Sequence, residues 1–320
     1  MFDQPTPPMT RRDALKVMAA GAGVIWTAPG CSTSARADAG KADLVWGDQG
    51  SRPGHLQRPR AIAVDDQDRL YLADLTDRIQ VFSTDGEFIR HWQLPAFDAD
   101  GPTGLSIGRD GNLIVGDTHF FRILTYTPDG ALVNTLGGTP GAGVGEFGMV
   151  RDAIEDSDGY LYVCETGDGE LERVQVYSPD RQFVTKWGTL GREPGQFVRP
   201  EALALDRRGR LFVADSCNHR IQIFSKSGQL LDCWGSHGTE LGQLSYPYDI
   251  AFGGDGNLYV CDNNNHRVKK FTPEGKSLGA WGRPGRKPGE LNYPWGLAID
   301  RRNRVHVADS YNHRVQRVVM

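Results

Sequence analysis

The chain has 320 residues, 39% of them hydrophobic and 24% charged, an ordinary globular composition that excludes a disordered or fibrous polypeptide. A formal net charge of −4 supplies no overall basic field, so the bulk numbers argue against a nucleic-acid or anionic-lipid partner. Glycine accounts for 40 residues and proline for 18, which calls for many tight turns and hence many short strands.

In chain order, residues 1–37 read as an export signal and linker rather than as part of a fold. Thr10-Arg11-Arg12-Asp13-Ala14-Leu15-Lys16 is a twin-arginine pattern, and the mildly apolar run from Val17 to Ala28 is too short and glycine-rich to span a bilayer. The segment resembles a Tat signal, which carries already folded proteins, so the mature chain is expected in the periplasm. Ala35-Arg36-Ala37 offers a small-residue cleavage site. Pro29-Gly30-Cys31 offers instead a lipoprotein-type site with Cys31 lipidated, so a soluble and a membrane-anchored form both stay open. Cys164, Cys217, Cys233 and Cys261 follow the signal without ligand spacing and read as free thiols within strands.

From residue 38 to 320 the chain repeats. Pro59-Arg-Ala-Ile-Ala-Val-Asp65 returns as Pro200-Glu-Ala-Leu-Ala-Leu-Asp206 and Pro294-Trp-Gly-Leu-Ala-Ile-Asp300, with looser copies starting at Pro102, Val150 and Pro247. The intervals of 43, 48, 50, 47 and 47 residues suit a four-stranded propeller blade. Period-two alternation within each unit predicts strands, for example Ala202–Asp206, Arg210–Asp215, Arg220–Phe224 and Gln229–Trp234. The sixth unit ends after its third strand, and Ala42–Gly47 reads like the fourth strand it lacks. The expected fold is therefore all-β: a six-bladed propeller whose last blade is closed by the N-terminal strand, monomeric because closure leaves no open edge. Trp46, Trp92, Trp187, Trp234 and Trp281 close fourth strands, with Leu136 in the remaining blade.

Each unit also places an acid at the end of strand two and an arginine at the start of strand three: Asp74/Arg78, Asp117/Arg122, Glu165/Arg173, Asp215/Arg220, Asp262/Arg267 and Asp309/Arg314. A residue present in every blade serves the blade, so these read as structural pairs in which the guanidinium also caps loop carbonyls. His219, His266 and His313 recur at the same station, but successive blades fan apart, and one zinc ion needs its nitrogens within about 2.1 Å. Gly54, Gly145, Gly195, Gly242 and Gly289 occupy one position of the inter-blade connector. No helix is predicted after these loops, as a phosphate-binding loop would require.

Asn218-His219-Arg220, Asn264 to Arg267 and Asn312-His313-Arg314, each followed by an alternating strand, resemble the signature of the NHL repeat family. The resemblance extends over residues 42–320 and implies a propeller that hosts either binding or catalysis. A related propeller, peptidyl-α-hydroxyglycine α-amidating lyase, would imply a zinc ion held by histidines that follow the proline opening an inner strand. Those positions here are Arg60, Thr103, Arg151, Glu201, Tyr248 and Trp295, with no histidine among them. Animal NHL proteins that bind RNA would imply a basic face, but Arg207-Arg208-Arg210 and Arg301-Arg302-Arg304 fall in turns between strands one and two and read as solvated. Glu155–Gly159 lacks the spacing of an EF-hand and reads as a turn.

Function is sought where the repeats disagree. Arg60, Thr103, Arg151, Glu201, Tyr248 and Trp295 should line one mouth of the central channel, with the off-pattern acids Asp152 and Asp249 immediately after two of them. Arginine can hold a carboxylate or phosphate, and tyrosine and tryptophan offer flat stacking surfaces. The expected function is a binding or interaction module for a small anionic or aromatic ligand, a peptide or a protein. No metal or cofactor is expected, and a lyase or hydrolase is the alternative.

Overall fold

The structure is a computed structural model that describes residues 41–96 and 101–320; the export signal and Cys31 lie outside them. Its strands follow the repeat. In blade 4 they are Pro200–Leu205, Leu211–Asp215, Arg220–Phe224 and Leu230–Trp234, each within a residue or two of the sequence pattern. The second strand is buried along its whole length, because both sheet faces are covered by neighbouring blades. The fourth is half-buried to exposed along its length, since it forms the rim.

Six such antiparallel sheets form a six-bladed β-propeller. The inner strands, starting at Ala61, Gly104, Met149, Pro200, Pro247 and Gly296, each pack against the next and the last against the first. Blade 6 is completed by Leu44–Trp46, antiparallel to Arg314–Val319 with Trp46 opposite Val315. One guanidinium locks this closure: Arg317 pairs with Asp43 at 2.8 Å and Asp85 at 2.7 Å, and donates to the Thr84 carbonyl. Fourth-strand tryptophans form a second latch. A Cβ on Gly86, in the hairpin of blade 1, would lie 2.5 Å from the Trp46 ring, and Gly130, Gly228 and Gly275 stand similarly against Trp92, Trp187 and Trp234. These glycines adopt φ of 82–91°, so the turn and the packing both require them.

All six acid–arginine pairs lie within ion-pair distance, from 2.5 Å for Arg173–Glu165 to 3.4 Å for Arg78–Asp74. In five blades the arginine also reaches the connector that enters its own blade: Arg220 donates to the carbonyls of Arg192, Glu193 and Gln196, and Arg78, Arg173, Arg267 and Arg314 do the same at their stations. Arg122 in blade 2 departs from this expectation. It keeps its ion pair, Nε to Asp117 at 2.7 Å, but among the described residues it caps no loop carbonyl, and its buried Nη2 finds no acceptor there. The reading of Arg122 as a carbonyl cap is therefore corrected. The reason is local: Phe120 stands where blade 4 has Asn218, and its ring centroid lies 5.0 Å from the Arg122 guanidinium. An aromatic face attracts the cation without offering it a carbonyl oxygen.

Gln222 completes the frame in blade 4 by accepting from Gly195 N and donating to the Gln196 carbonyl. The glycine-rich connector is thus filled by its own blade. In blade 5, Lys269 replaces the glutamine and points its ammonium at the carbonyls of Glu240, Leu241 and Gln243; burial pushes its pKa down to about 8. The four described cysteines are unpaired.

Candidate functional site

The loops between strands two and three, and those entering the inner strands, share one face. A short 3-10 turn after strand two ends in a left-handed histidine, at φ 56° for His219, 53° for His266 and 57° for His313. That backbone turns Nδ1 toward the next blade, where it accepts the N–H of the residue before the opening proline. His219 holds Tyr246, His266 holds Tyr293 and His313 holds Arg58, at 3.0–3.1 Å. The three imidazoles are therefore inter-blade acceptors. Burial lowers all three pKa values, that of His219 to about 4. Neutral rings with the proton on Nε2 are what this bond requires.

The non-repeating residues lie inward of these staples and form a continuous series around the mouth. The Arg60 guanidinium, from blade 1, sits 4.6 Å from the Trp295 ring centroid in blade 6. Trp295 packs on Tyr248 of blade 5 with centroids 4.9 Å apart. Tyr248 lies under the Arg199 guanidinium at 5.3 Å. Arg199 contacts Glu201, whose other oxygen stands 3.9 Å from Arg151 Nε in blade 3. Thr103 of blade 2 closes the series by donating from Oγ1 to the Arg151 carbonyl at 3.0 Å. Arg60 and Arg151, each read from sequence as able to hold a carboxylate or phosphate, have different partners: Arg60 stacks on Trp295 and Arg151 faces Glu201, the pairing that the sequence offered as the alternative. Stacked cation–π contacts of this kind are worth about 0.5–2 kcal/mol each, rising as water is excluded.

Arg199 was not among the residues singled out from sequence. It precedes Pro200, outside the repeated phrase, and adopts φ 60°. The signal that could have found it is its station: Arg58, Tyr246 and Tyr293 are left-handed at the same place. Its N–H is held by Glu172 Oε2 at 2.5 Å, so Glu172 does in blade 3 what histidine does in blades 4–6. Burial opposes the charge on Arg199, but Glu201 more than restores it and the pKa is raised. Burial lowers the pKa of Arg151, with Glu201 only partly offsetting, and pushes the Tyr248 phenol up to about 12.

Asp152 and Asp249 have a legible task. Each follows a bulge in its inner strand and reaches across to the next blade. Asp152 accepts from Leu203 N at 2.9 Å, and Asp249 from Leu297 N at 2.7 Å, with a second bond to the following residue's own N–H. They cap inner-strand N–H groups that have no strand partner across the channel. Burial raises both carboxyls, Asp152 to about 7. The channel they line is a cavity of about 380 Å³ whose wall mixes Ile62, Leu105, Ile154, Leu203, Ile250 and Leu297 with Ser106, Asp152, Glu155 and Asp249.

At the opposite face, the arginine-rich turns serve the ring. Arg207 donates to the Gly254 carbonyl of blade 5 at 2.6 Å, and Arg301 to the Asp66 carbonyl of blade 1 at 2.6 Å. Asp156 in the acidic run accepts from Asp158 N and Tyr160 N and pairs with Lys226 at 2.7 Å, forming a turn. Among the described residues, no three His, Cys, Asp or Glu side chains converge as metal ligands. The side chains present therefore do not fit the zinc ion that a lyase resemblance implies. No helix among the described residues is long and apolar enough to cross a membrane.

The NHL repeat family model matches residues 197–224, 244–271 and 291–318, so blades 4–6 carry NHL repeats. The chain is 31% identical to mouse NHL repeat-containing protein 3 over 174 residues, 49% of each chain. It is 28% identical to mouse peptidyl-glycine alpha-amidating monooxygenase over 190 residues, 56% of this chain and 18% of that protein. It thus spans about half the length of the first relative and under a fifth of the second. Among solved structures, a streptogramin B lyase superposes with a TM-score of 0.58 at 12% identity, covering 86% of this chain and 96% of that one. Virginiamycin B lyase from Staphylococcus aureus superposes with a TM-score of 0.57 at 14% identity, covering 82% and 80%. At such identities the likeness is one of fold.

Proposed function

We propose that the protein is an exported propeller, NHL-type in all six blades, that works as a monomeric binding module through its channel mouth. The observation that carries this reading is the unbroken series Arg60–Trp295–Tyr248–Arg199–Glu201–Arg151, contributed by five blades, with all but Arg199 drawn from the station where the residue type varies most between repeats. A scaffold needs none of these residue types there, whereas a ligand with a flat ring and a negative group, free or on a peptide, is matched by them. Twin-arginine export places this face in the periplasm, and lipidation at Cys31 would tether it to the membrane.

Peptides selected from a random library on the wild-type protein are expected to lose binding to Trp295→Ala and to the double variant Arg60→Ala/Arg151→Ala. Unchanged affinity on both variants would move the binding face elsewhere. A lyase or hydrolase is the second reading, favoured by the similarity to peptidyl-glycine alpha-amidating monooxygenase. Elemental analysis of protein isolated from the periplasm without added metal separates the two. A metal-free, stably folded protein is expected, and stoichiometric zinc would favour the enzyme.

A further inference from the structure

We infer that the mouth contains a carboxylate subsite between Arg151 and Arg199, in which Glu201 stands where a ligand carboxylate would bind. The inference rests on the mouth being the binding face and names the chemistry it selects.

Arg314 shows a fully satisfied guanidinium in this protein, although the buried Arg78 Nε and Arg122 Nη2 of other blades also lack an acceptor. Arg314 donates to Asp309 at 2.7 Å and to three connector carbonyls at 2.8–2.9 Å. Arg151 is different. It is nine-tenths buried, its ion pair with Glu201 is 3.9 Å long, and its Nε meets no protein acceptor in hydrogen-bond geometry. Arg199 Nε and Glu201 Oε1 are in direct contact as a buried ion pair, so the Glu201 carboxylate is engaged mainly by Arg199. One carboxylate is thus shared between two guanidiniums, in contact with Arg199 and 3.9 Å from Arg151, and Arg151 lacks the bidentate partner that makes such pairs strong.

Two other acids are close, and both are spent elsewhere. Glu172 accepts from Thr166 Oγ1 and Arg199 N, and Asp152 accepts from Leu203 N and Ala153 N. Burial pushes both carboxyls toward their neutral forms. A buried donor left without an acceptor is costly, so the arrangement favours a ligand carboxylate that takes the place of Glu201 and reaches Arg151 more closely than Glu201 does.

The chemistry of that anion follows from its surroundings. Glu201 shows that a planar, singly charged carboxylate fits between the guanidiniums, and one such charge complements the pair where a phosphate dianion would overfill it. Tyr248 lies against Arg199, and Trp295 against Tyr248, so the rest of the ligand meets aromatic faces. The class is a carboxylate attached to an aromatic group. It could come from a small aryl-alkanoic acid or from the C-terminus of a peptide whose last residue is aromatic.

Isothermal titration calorimetry on the full chain tests this with phenylacetate and with one peptide ending in phenylalanine, prepared as free acid and as amide. Free acid is expected to bind at least about tenfold more tightly than amide, the scale of one charge-assisted bond. Arg151→Met should weaken the acid about tenfold, and Glu201→Gln should tighten it by a similar factor, because the internal competitor is gone. Glu201→Asp, which retracts the carboxylate and keeps its charge, should give a smaller gain. Gains in affinity cannot come from misfolding, so these variants decide the matter even if Arg151→Met is unstable. Binding of phenylacetate alone identifies a small acid as the source, and binding of the peptide alone identifies a C-terminus. Equal affinity for acid and amide, no gain in either Glu201 variant, or no binding of any probe overturns the subsite. If library peptides lose binding on Trp295→Ala but ignore amidation and both Glu201 variants, the mouth remains the binding face and only the carboxylate assignment fails.

Discussion

Blades 4–6 and blades 1–3 have the same four-stranded architecture, yet the NHL family model matches only the first group. The difference lies at two stations of the turn after strand two. In blades 4–6 an asparagine carboxamide ties the strand-two aspartate to a connector carbonyl, as Asn218 does with Asp215 and Gly191. The left-handed histidine that follows hands its Nδ1 to the next blade. In blade 1 the first station is Thr76, which bonds Asp74, and the second is Asp77 at φ 49°. In blade 2 the first is Phe120, which faces the Arg122 guanidinium, and the second is Phe121 at φ 55°. In blade 3 the loop is longer, and Glu172 supplies the acceptor from φ −84°. The fold therefore accepts several residues at each station. A family signature records one solution; the other half of the ring uses different ones.

The comparison is most severely tested in blade 3. Arg173 and Glu165 are 1% and 0% exposed and meet at 2.5 Å, whereas Arg220 in blade 4 keeps 11% of its surface beside Asp215. Arg173→Met leaves a buried carboxylate unpaired and should cost about 3–5 kcal/mol in urea denaturation. Arg220→Met should cost less, because water can reach part of the gap. Equal losses would mean that the longer loop of blade 3 does not bury its pair more deeply in any energetic sense.

A smaller effect sharpens the idea that acceptors are interchangeable. His266→Ala leaves Tyr293 N unpaired and removes a ring contact of 4.4 Å, at an expected cost of about 1–2 kcal/mol. His266→Glu should recover part of that loss by copying the bond Glu172 makes in blade 3. If glutamate is no better than alanine, the histidine matters for its shape and not for its acceptor.

The ring itself was legible in the sequence because strand alternation and turn chemistry repeat every 43–50 residues, and repetition averages out local ambiguity. The closing strand at Leu44–Trp46 was legible because it resembles the residues around Trp281. Individual partners were not. Arg122 has the same station as Arg220, so its pairing with Asp117 could be read, but the replacement of a carbonyl cap by the Phe120 ring could not. That Arg151 would share Glu201 with Arg199 depends on a left-handed residue before Pro200, and no pattern within one blade reports contacts with the next. Asp152 and Asp249 stood out as off-pattern, but their partners, Leu203 N and Leu297 N, belong to neighbouring blades and become visible only when the ring is closed. Arg207-Arg208-Arg210 and Arg301-Arg302-Arg304 could be read along the chain as turns between strands one and two. The bonds from Arg207 to Gly254 and from Arg301 to Asp66 needed the structure.

The smallest expected effect is a pH dependence confined to the histidine-bearing half. In the folded state His219, His266 and His313 are held neutral, their pKa values lowered by burial from 6.5 and that of His219 to about 4. Below about pH 6.5 the unfolded chain binds protons that the folded chain refuses. The stability these groups contribute is therefore complete above that pH and declines as pH falls toward the folded values. Asp152 acts with the opposite sign. Its carboxyl, raised by burial to about 7, opposes folding at neutral pH and is relieved as pH falls, so the wild-type curve alone mixes the two trends. The histidine share is isolated by difference: His266→Gln keeps a side-chain acceptor for Tyr293 N and cannot titrate. Between about pH 7 and about pH 6 the wild-type protein should lose under about 0.5 kcal/mol relative to this variant, since the ring is only partly buried. Parallel stability curves for the two proteins would mean that protonation does not break the bond from the imidazole to the next blade. Blades 4–6 would then owe their regular sequence to something other than the neutral histidine.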